Sequence, residues 1–464
     1  MKQLLKTKMN KIHICLFLCV FAAFPATPQT LLKSVDRQLI DSLYFNALSQ
    51  RTGYLWLEEL CKIGPRLSGS LNSERSLDWA MKKFSGMTGT KARKQPITVP
   101  YWDRGNAEFA EIISGSVKRT IKIASLGGSI STPPGGITAQ VIEVTSFEDL
   151  QAKGGLVNGK IVFFNVPFSK TNLNTFTTYG QIARNRVFGA QEAAKLGAVG
   201  TILRSITSRD DNVPHVGVMI YSDTIKKIPS VVAGIQDADY LHNALLNDNK
   251  LSLHIRLDCA PVVERPSANI IAEIKGSEKP DEIIVMSGHF DSWDKGQGAH
   301  DDGAGVIHSM ESLWLLQSIG YKPKHTIRCV LFMNEENGSR GSAAYADSSN
   351  KISEKHLAAI ESDRGGFLPL GFNFDGDSTD YAKILALTPE LERWNLWYFR
   401  KGGSGADVGR LKNCRMKLGY VPDSQRYFDV HHSDNDVIEA VNPRELELGS
   451  AANAMMLYLL DNLF

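Results

Sequence analysis

The sequence predicts an α/β protein with a mixed central sheet between helices and a smaller β-rich domain inserted into it. Strands alternate with helices in the C-terminal half, which is typical of a sheet layered between helices. Short strands separated by turn residues fill an earlier block, which is typical of a β-rich domain. The length of 464 residues, with 43% hydrophobic and 22% charged residues, suits two or three globular domains. The predicted division is a signal peptide at 1–28, the main domain at 29–127 and 261–464, and the insert at 128–260.

The first residues have the pattern of a secretory signal. Four lysines precede an apolar run at 14–24, and small or helix-breaking residues follow as far as Pro28. The run is too short to span a bilayer. We therefore expect export to the periplasm or the exterior, with no stable membrane insertion after the signal is removed. A lipid anchor at Cys19 is disfavoured, because Phe17 and Leu18 are bulky where small residues are wanted.

Charge and cysteine content exclude several classes of protein. The formal net charge is +2 and the basic residues are scattered, so we expect no nucleic-acid partner. No C-x-x-C pair is present among the cysteines beyond the signal, which argues against a zinc knuckle or a dense disulfide framework. No G-x-S-x-G elbow supports a nucleophilic hydrolase.

Helices and then short strands are predicted in the N-terminal half. Residues 35–63 have helical character, and apolar residues at 77–84 recur at helical spacing. The Gly/Ser/Pro-rich stretch LGGSISTPPGG at 126–136 indicates a domain boundary. Strands are then predicted in AQVIEV, GKIVFFNV, AVGTIL and IPSVVAGI, around a helix in FGAQEAAKLG. LSLHIRL at 251–257 closes the block.

Longer strands and helices follow from about residue 267. NIIAEIKG and DEIIVMSG are predicted strands joined by SEKP, and residues 303–319 form a predicted helix. TIRCVLFMN and HLAAIESD are further apolar strands, and a helix at 443–460 finishes the chain. This alternation predicts the central sheet.

Polar side chains follow the strong strands of this half. Ligands of open α/β sheets bind beyond the carboxyl ends of the strands, so these positions are candidates for a site. The candidates are His289 and Asp291, Asp301 and Asp302, Glu335 and Glu336, Asp363, and His431, His432, Asp434 and Asp436.

Each candidate alone has an ordinary structural explanation. Asp301 and Asp302 suit a helix cap, and Glu335 and Glu336 suit a solvated loop. Their coincidence at successive strand ends of one sheet favours a cation, because converging carboxylates destabilise a fold unless positive charge neutralises them. A mixture of imidazole and carboxylate ligands suits zinc better than calcium or magnesium.

The order of five motifs resembles a known family. GHFDSW, GAHDDGAG, NEENGSRGS, ESDRGG and HHSDND occur in the order found in the co-catalytic di-zinc exopeptidases, most closely in their carboxypeptidase Q group. The resemblance covers essentially the whole mature chain. It implies that the main domain is catalytic, that the insert is a protease-associated domain, that two zinc ions bind per chain, and that the substrate is a peptide.

The resemblance assigns the metal ligands residue by residue. It implies that His289 and Asp363 bind one zinc ion and that Glu336 and His432 bind the other. Asp301 becomes the carboxylate that bridges both ions, and the Asp301–Asp302 peptide bond is expected to be cis.

The resemblance also implies three residues that assist the reaction. Glu335 is the expected general base, which accepts a proton from the attacking water and returns it to the leaving amine. Asp291 is expected to orient the His289 imidazole. His431 is expected either to donate to the developing oxyanion or to be a supporting histidine. The glycine-rich stretch at 401–410 predicts a turn, with Asp407 as a candidate partner for a substrate amine.

The sequence thus predicts an exported zinc exopeptidase that cleaves dipeptides or short peptides at a free terminus. A glutaminyl-peptide cyclotransferase on a related zinc scaffold and a receptor-like module without activity are the alternatives. Homodimers occur among similar proteins, so a homodimer is expected from the resemblance alone.

Overall fold

A computed structural model describes residues 31–464, so the predicted signal peptide at 1–28 lies outside the described residues. The described part contains helices on both halves of the chain. In chain order they are α1 (Ser34–Gln50), α2 (Thr52–Ile63), α3 (Leu71–Ser85), α4 (Phe147–Lys153), α5 (Thr175–Lys195), α6 (Ile235–Asn247), α7 (Gly305–Ser318), α8 (Arg340–Lys351), α9 (Ser378–Leu391) and α10 (Pro443–Leu463). Among the described residues, no helix has the length and apolar character needed to cross a membrane.

The main sheet has eight strands and is mixed, which confirms the predicted fold class. Its four middle strands are parallel to one another, and an antiparallel strand flanks them on each side. From edge to edge the strands are β1 (Thr90–Tyr101), β10 (Val263–Ile274), β12 (His325–Phe332), β11 (Lys279–His289), β13 (Lys355–Glu361), β16 (Cys414–Pro422), β14 (Pro369–Asp375) and β15 (Tyr398–Lys401).

A second sheet of eight strands forms a separate layer, here called the second layer. It has its own apolar core. Its strands, again from edge to edge, are β3 (Val117–Ile121), β2 (Glu108–Ser114), β9 (Ser252–Leu257), β5 (Ile137–Val144), β6 (Ile161–Phe164), β7 (Gly200–Arg204), β8 (Ser230–Ala233) and β4 (Ile123–Ser125).

The second layer starts earlier than the predicted boundary at 128. Its first strand begins at Glu108, and the Gly/Ser/Pro-rich stretch at 126–136 connects β4 to β5 inside the layer. The composition change therefore marks a loop between two strands of one sheet. The division of the chain into a catalytic domain and a protease-associated insert stays a prediction.

The helix predicted over 35–63 is two helices, α1 and α2. Arg51 separates them with a φ of 52°, a left-handed conformation that ends α1. The first amides of α2 lack partners within the helix. Glu311 and Glu447 accept hydrogen bonds from the backbone N–H groups of Gly53 and Tyr54, both at 2.8 Å. These two carboxylates therefore cap the N-terminus of α2.

The apolar core around the main sheet fixes where its middle strands end. All eight residues of β12 are buried, and α7 and α10 pack against each other on one face of the sheet. A strand buried on both faces has no freedom to shift its register, since a one-residue slip would exchange its two sets of side chains. The residues that follow β11, β12 and β13 are thus held together at the carboxyl ends of these parallel strands.

Candidate metal centre

His289 is the last residue of β11, and its two ring nitrogens have different partners. Nδ1 donates to the backbone carbonyl of Asp291 at 3.0 Å. In a neutral ring this leaves the lone pair on Nε2, which lies 3.1 Å from Oδ1 of Asp301 and 3.6 Å from Oδ1 of Asp363. The ring presents one free ligand atom between two carboxylates.

Asp291 was expected to orient the His289 ring, and it contacts that ring through its backbone carbonyl. Its carbonyl, rather than its carboxylate, contacts the His289 ring, since the nearest carboxylate oxygen is 3.9 Å from Nδ1. The carboxylate instead accepts from the backbone N–H of Glu335 at 3.0 Å and from the Ser68 hydroxyl at 2.8 Å. Asp291 therefore positions the chain that follows β12.

Asp301 and Asp302 point in different directions from a cis peptide bond, which was expected. Asp302 accepts from the backbone N–H of His289 at 2.9 Å and from that of Gly305 at 3.0 Å. Asp302 thus ties β11 to the start of α7, as a helix-capping residue does. Asp301 faces the cavity. Asp302 therefore fits the interpretation as a helix cap, and Asp301 fits the interpretation as a carboxylate that binds a cation.

Glu335 and Glu336 follow β12 and also separate. Glu336 is buried, and its Oε2 accepts from Nε1 of Trp293 at 2.6 Å and lies 3.1 Å from Nε2 of His432. Glu335 is half-buried and lines the same cavity. Burial raises the pKa of Glu335 well above its usual value, and the nearby Asp363 adds to the rise although His289 opposes it.

His432 receives its orientation from the second layer. Its Nδ1 donates to the backbone carbonyl of Val216 at 3.1 Å, and its own carbonyl accepts from the Val216 N–H at 2.8 Å. Nε2 then faces Oδ2 of Asp301 at 3.2 Å. His432 has a φ of 59°, so a left-handed residue turns this ring toward the cavity.

His431 is buried beside His432, and the two ring centroids are 3.5 Å apart. Its Nε2 lies 3.6 Å from Oδ2 of Asp301. Tyr179, Tyr427 and Phe428 pack around the ring. Burial lowers the pKa of His431 well below its usual value, and the neighbouring His432 lowers it further. The ring is therefore neutral near pH 7.

The predicted site residues meet in one cavity of about 280 Å³. Asp291, Asp302, Asp434 and Asp436 are the sequence candidates that do not line it. The lining residues are Phe176, Tyr179, Arg186, Val218, His289, Asp301, Glu335, Glu336, Asp363, Tyr427, His431 and His432.

The donor set fits metal ions. Three groups of His, Asp and Glu side chains offer ligand atoms within 4.8 Å of one another. Oδ2 of Asp301 and Oε1 of Glu336 are buried without a hydrogen-bond partner, which is unfavourable unless a cation binds there. Burial alone would raise the pKa of Asp301, but the His289 and His432 imidazoles outweigh it and hold that pKa well below its usual range. Imidazole and carboxylate ligands together suit zinc.

Asp407 lies outside this cavity. It is buried near the end of β13, and burial raises its pKa to about 6. Glu361 accepts backbone hydrogen bonds from the loop at 406–408, which fixes the glycine-rich stretch against β13. The structure therefore gives Asp407 no direct access to a substrate amine.

Sequence reasoning missed the contribution of the second layer. Val216 supplies a carbonyl, and Tyr179 and Arg186 on α5 line the cavity. These residues lie far from the five motifs in the chain, and a lone arginine or tyrosine on a helix carries no local signal. Trp293 was also missed, although it follows the GHFDS segment directly.

Known proteins resemble this chain in sequence and in structure. The model of peptidase family M28 matches residues 269–447. Carboxypeptidase Q from Bos taurus is 34% identical over 86% of this chain and 83% of its own length. The crystal structure of a peptidase M28 precursor from Shewanella amazonensis superposes with a TM-score of 0.87 at 34% identity, covering 92% of this chain and 97% of that one.

A more distant structure shares the fold alone. A zinc aminopeptidase from Bacillus subtilis superposes with a TM-score of 0.61 at 18% identity, covering 87% of this chain and 93% of its own. The identity and coverage of the first two proteins, together with clustered ligands at the strand ends, decide the family. The chain belongs to peptidase family M28, and it is a metallopeptidase.

Proposed function

We propose that this metallopeptidase is an exported di-zinc exopeptidase that hydrolyses dipeptides or short peptides at a free terminus. One observation carries the proposal. The two carboxylate oxygens of Asp301 face different imidazoles, with Oδ1 3.1 Å from Nε2 of His289 and Oδ2 3.2 Å from Nε2 of His432. A carboxylate placed in this way suits two cations that share it.

The surrounding side chains divide into two sets around Asp301. His289 and Asp363 would hold one zinc ion, and His432 and Glu336 would hold the other. Asp302 is close to His289, but its two oxygens accept the backbone N–H groups of His289 and Gly305, so we assign it a structural role rather than that of a ligand. When bound, the pair of ions would polarise the scissile carbonyl and lower the pKa of water from 15.7 toward about 7.

Glu335 supports the proposal as the general base. Its carboxylate lines the cavity, while its backbone N–H is fixed by Asp291 at 3.0 Å. The raised pKa of Glu335, which burial causes, suits a group that takes a proton from the attacking water and returns it to the leaving amine.

His431 supports the proposal as a hydrogen-bond donor. Its imidazole is neutral because burial lowers its pKa, and its Nε2 lies at the cavity beside Asp301. A neutral N–H aimed at the cavity can donate to the oxyanion that forms when water adds to the carbonyl.

The export of the enzyme rests on the pattern at 1–28, and a homodimer stays a prediction from the resemblance. Among reaction classes, the peptidase relatives favour hydrolysis over cyclisation of N-terminal glutamine and over a receptor role.

The substitution Glu335→Gln tests the assignment of the base. The amide keeps the shape of the side chain and cannot accept the proton, so we expect turnover to fall about 10²–10⁴-fold. Bound zinc, measured by elemental analysis of the purified protein, should stay at its wild-type level. Glu336→Gln is the matched comparison, because it should lose zinc together with activity. An active Glu335→Gln enzyme would contradict the assignment.

A further inference from the structure

A smaller cavity, here called the side cavity, adjoins the catalytic cavity at Asp363. It holds about 140 Å³, and a segment of the glycine-rich stretch, residues 403–406, forms part of its lining. Phe176 and Asp363 line both cavities, so the two spaces meet at these residues. Ligand pockets usually hold about 300–1,000 Å³, so the side cavity has room for one side chain of a substrate and not for a whole ligand.

Arg364 is the one cationic side chain among the residues that line the side cavity. It follows the candidate ligand Asp363 in the chain and is half-buried. Its guanidinium stacks on Phe176, with Cζ 4.7 Å from the ring centroid. Such a stack is favourable, and it leaves the N–H groups at the edge of the planar guanidinium free for hydrogen bonds. The positive charge is thus held where the two cavities meet.

The guanidinium of Arg364 has few hydrogen-bond partners. Its one such contact among the described residues joins Nη2 to the Gly403 carbonyl at 3.5 Å, longer than the usual range of about 2.7–3.2 Å. The same carbonyl already accepts from Nδ2 of Asn373 at 3.1 Å. Arg364 forms no ion pair with any residue in 31–464, whereas Arg426 pairs with Glu445 at 3.1 Å. Most of the five donors of Arg364 are therefore free to meet an acceptor.

The two acids of the side cavity are already engaged elsewhere. Both oxygens of Glu361 accept backbone N–H groups, Oε1 from Ala406 at 2.8 Å and Oε2 from Asp407 at 2.9 Å and Val408 at 2.7 Å. Oδ1 of Asp363 lies 3.6 Å from Nε2 of His289, on the side of the candidate metal centre. The charge that has no partner in the side cavity is therefore the positive charge of Arg364, which favours an anion.

We propose that Arg364 makes the side cavity a subsite for an acidic side chain of the peptide substrate. The inference rests on the proposed peptidase function and adds the substrate class. A guanidinium binds a carboxylate through two parallel N–H···O bonds, which are stronger than bonds between neutral groups. Because Asp363 lines both cavities, a substrate residue beside the scissile bond can extend its side chain into the side cavity.

The experiment measures the release of free leucine from two isosteric pairs of dipeptides by the full-length zinc-loaded enzyme. The pairs are glutamyl-leucine with glutaminyl-leucine, and leucyl-glutamate with leucyl-glutamine, so either residue of the substrate can present the acid. We expect kcat/KM to be at least about 10-fold higher for the acid in one pair, the lower end of what a hydrogen bond to a charged group contributes. Equal kcat/KM within both pairs overturns the inference.

Two variants of Arg364 separate recognition from a structural role. Arg364→Gln should bring the preferred acid close to its amide, mainly through KM, with zinc content unchanged. Arg364→Glu should reverse the preference, so that a dipeptide with lysine at the preferred position is cleaved faster than the one with glutamate. If Arg364 only supports Asp363 and Phe176, both variants would slow acid and amide equally and lose zinc, and that result overturns the inference.

Arg426→Gln is the matched control. Arg426 also stacks on a phenylalanine, with Cζ 5.1 Å from the ring centroid of Phe367, but its charge is paired with Glu445 and it lines neither cavity. It should keep the wild-type preference for the acid. An equal loss of preference in Arg426→Gln and Arg364→Gln would trace the preference to overall charge and overturn the subsite.

A binding measurement keeps the inference distinct from the proposed function. Free glutamate should raise the Tm of the wild type more than glutamine does, and Arg364→Gln should abolish this difference. If no dipeptide is hydrolysed but glutamate still discriminates, the peptidase proposal fails and the acidic subsite stands. Hydrolysis of acid and amide at equal kcat/KM overturns the subsite and leaves the peptidase proposal intact. If Arg364→Glu does not fold, the wild type and Arg364→Gln decide the outcome by the same criteria.

Discussion

Two pairs of buried carboxylates lie beside the main sheet, and the charge of each pair is compensated in a different way. Asp301 and Glu336 face the imidazoles of His289 and His432 at the candidate metal centre. Glu311 and Glu447 face the first backbone amides of α2. No histidine forms an ion pair with Glu311 or Glu447 among the residues that the structure describes. All four side chains are at most 7% exposed.

The difference lies in what compensates the charge. The imidazoles hold the pKa of Asp301 well below its usual range, against the effect of burial. Burial raises the pKa of Glu311 well above its usual range, and the carboxylate of Glu447 raises it further, so the fold favours the protonated form of Glu311. Burial of an acid is therefore a poor indicator of a metal site by itself, and its neighbours decide between a cation and a proton.

The largest expected effect comes from Asp301→Asn. An amide offers one oxygen and carries no charge, so it cannot bridge two cations as a carboxylate does. We expect the variant to lose most of its zinc and more turnover than the roughly 10²–10⁴-fold expected for loss of the base. Elemental analysis and a dipeptide assay measure both quantities. Glu311→Gln is the matched variant of the other pair and should keep its zinc. Full zinc content in Asp301→Asn would contradict the assignment of Asp301 as the bridging carboxylate.

A smaller effect is expected from Gly53→Ala at the second pair. A Cβ at residue 53 would lie 2.0 Å from Oε2 of Glu311 and would displace the carboxylate from the start of α2. The free energy of unfolding should fall by about 1–3 kcal/mol, measured by denaturant titration. Gly180→Ala, in the helix α5, is the control, because a Cβ there meets no atom within 4 Å. Equal stability of the two variants would show that the pair tolerates displacement.

The smallest effect is a change in pH dependence in Glu311→Gln. The folded state raises the pKa of Glu311, so folding binds a proton, and wild-type stability should fall as pH rises from the unfolded pKa toward the folded pKa. The amide does not titrate and still accepts from Gly53. The slope of unfolding free energy against pH should therefore decrease by up to about 1.4 kcal/mol per pH unit above pH 5. An unchanged slope would mean that Glu311 is already ionised.

The sequence predicted those parts of the molecule in which a local pattern has a single structural result. Apolar strands such as β12 followed at once by acids predicted the end of the sheet where Glu335 and Glu336 lie. The helix at 443–460 was equally clear, because α10 starts at the proline at its first position.

Other features depend on contacts that no local pattern contains. The break at Arg51 depends on carboxylates of α7 and α10, which cap the N-terminus of the next helix, α2. The early start of the second layer follows from pairing of β2 with β9, which lies far along the chain. Val216 and Arg186 join the site only because this layer folds back over the strand ends.

The two contacts between Val216 and His432 make the second layer part of the candidate metal centre. One residue of the second layer both accepts from the ring and donates to the main chain of a candidate ligand. A substitute layer of identical outline but with this segment displaced would leave the imidazole free to rotate. We therefore expect that replacing the second layer without keeping this contact would cost the His432 ring its orientation.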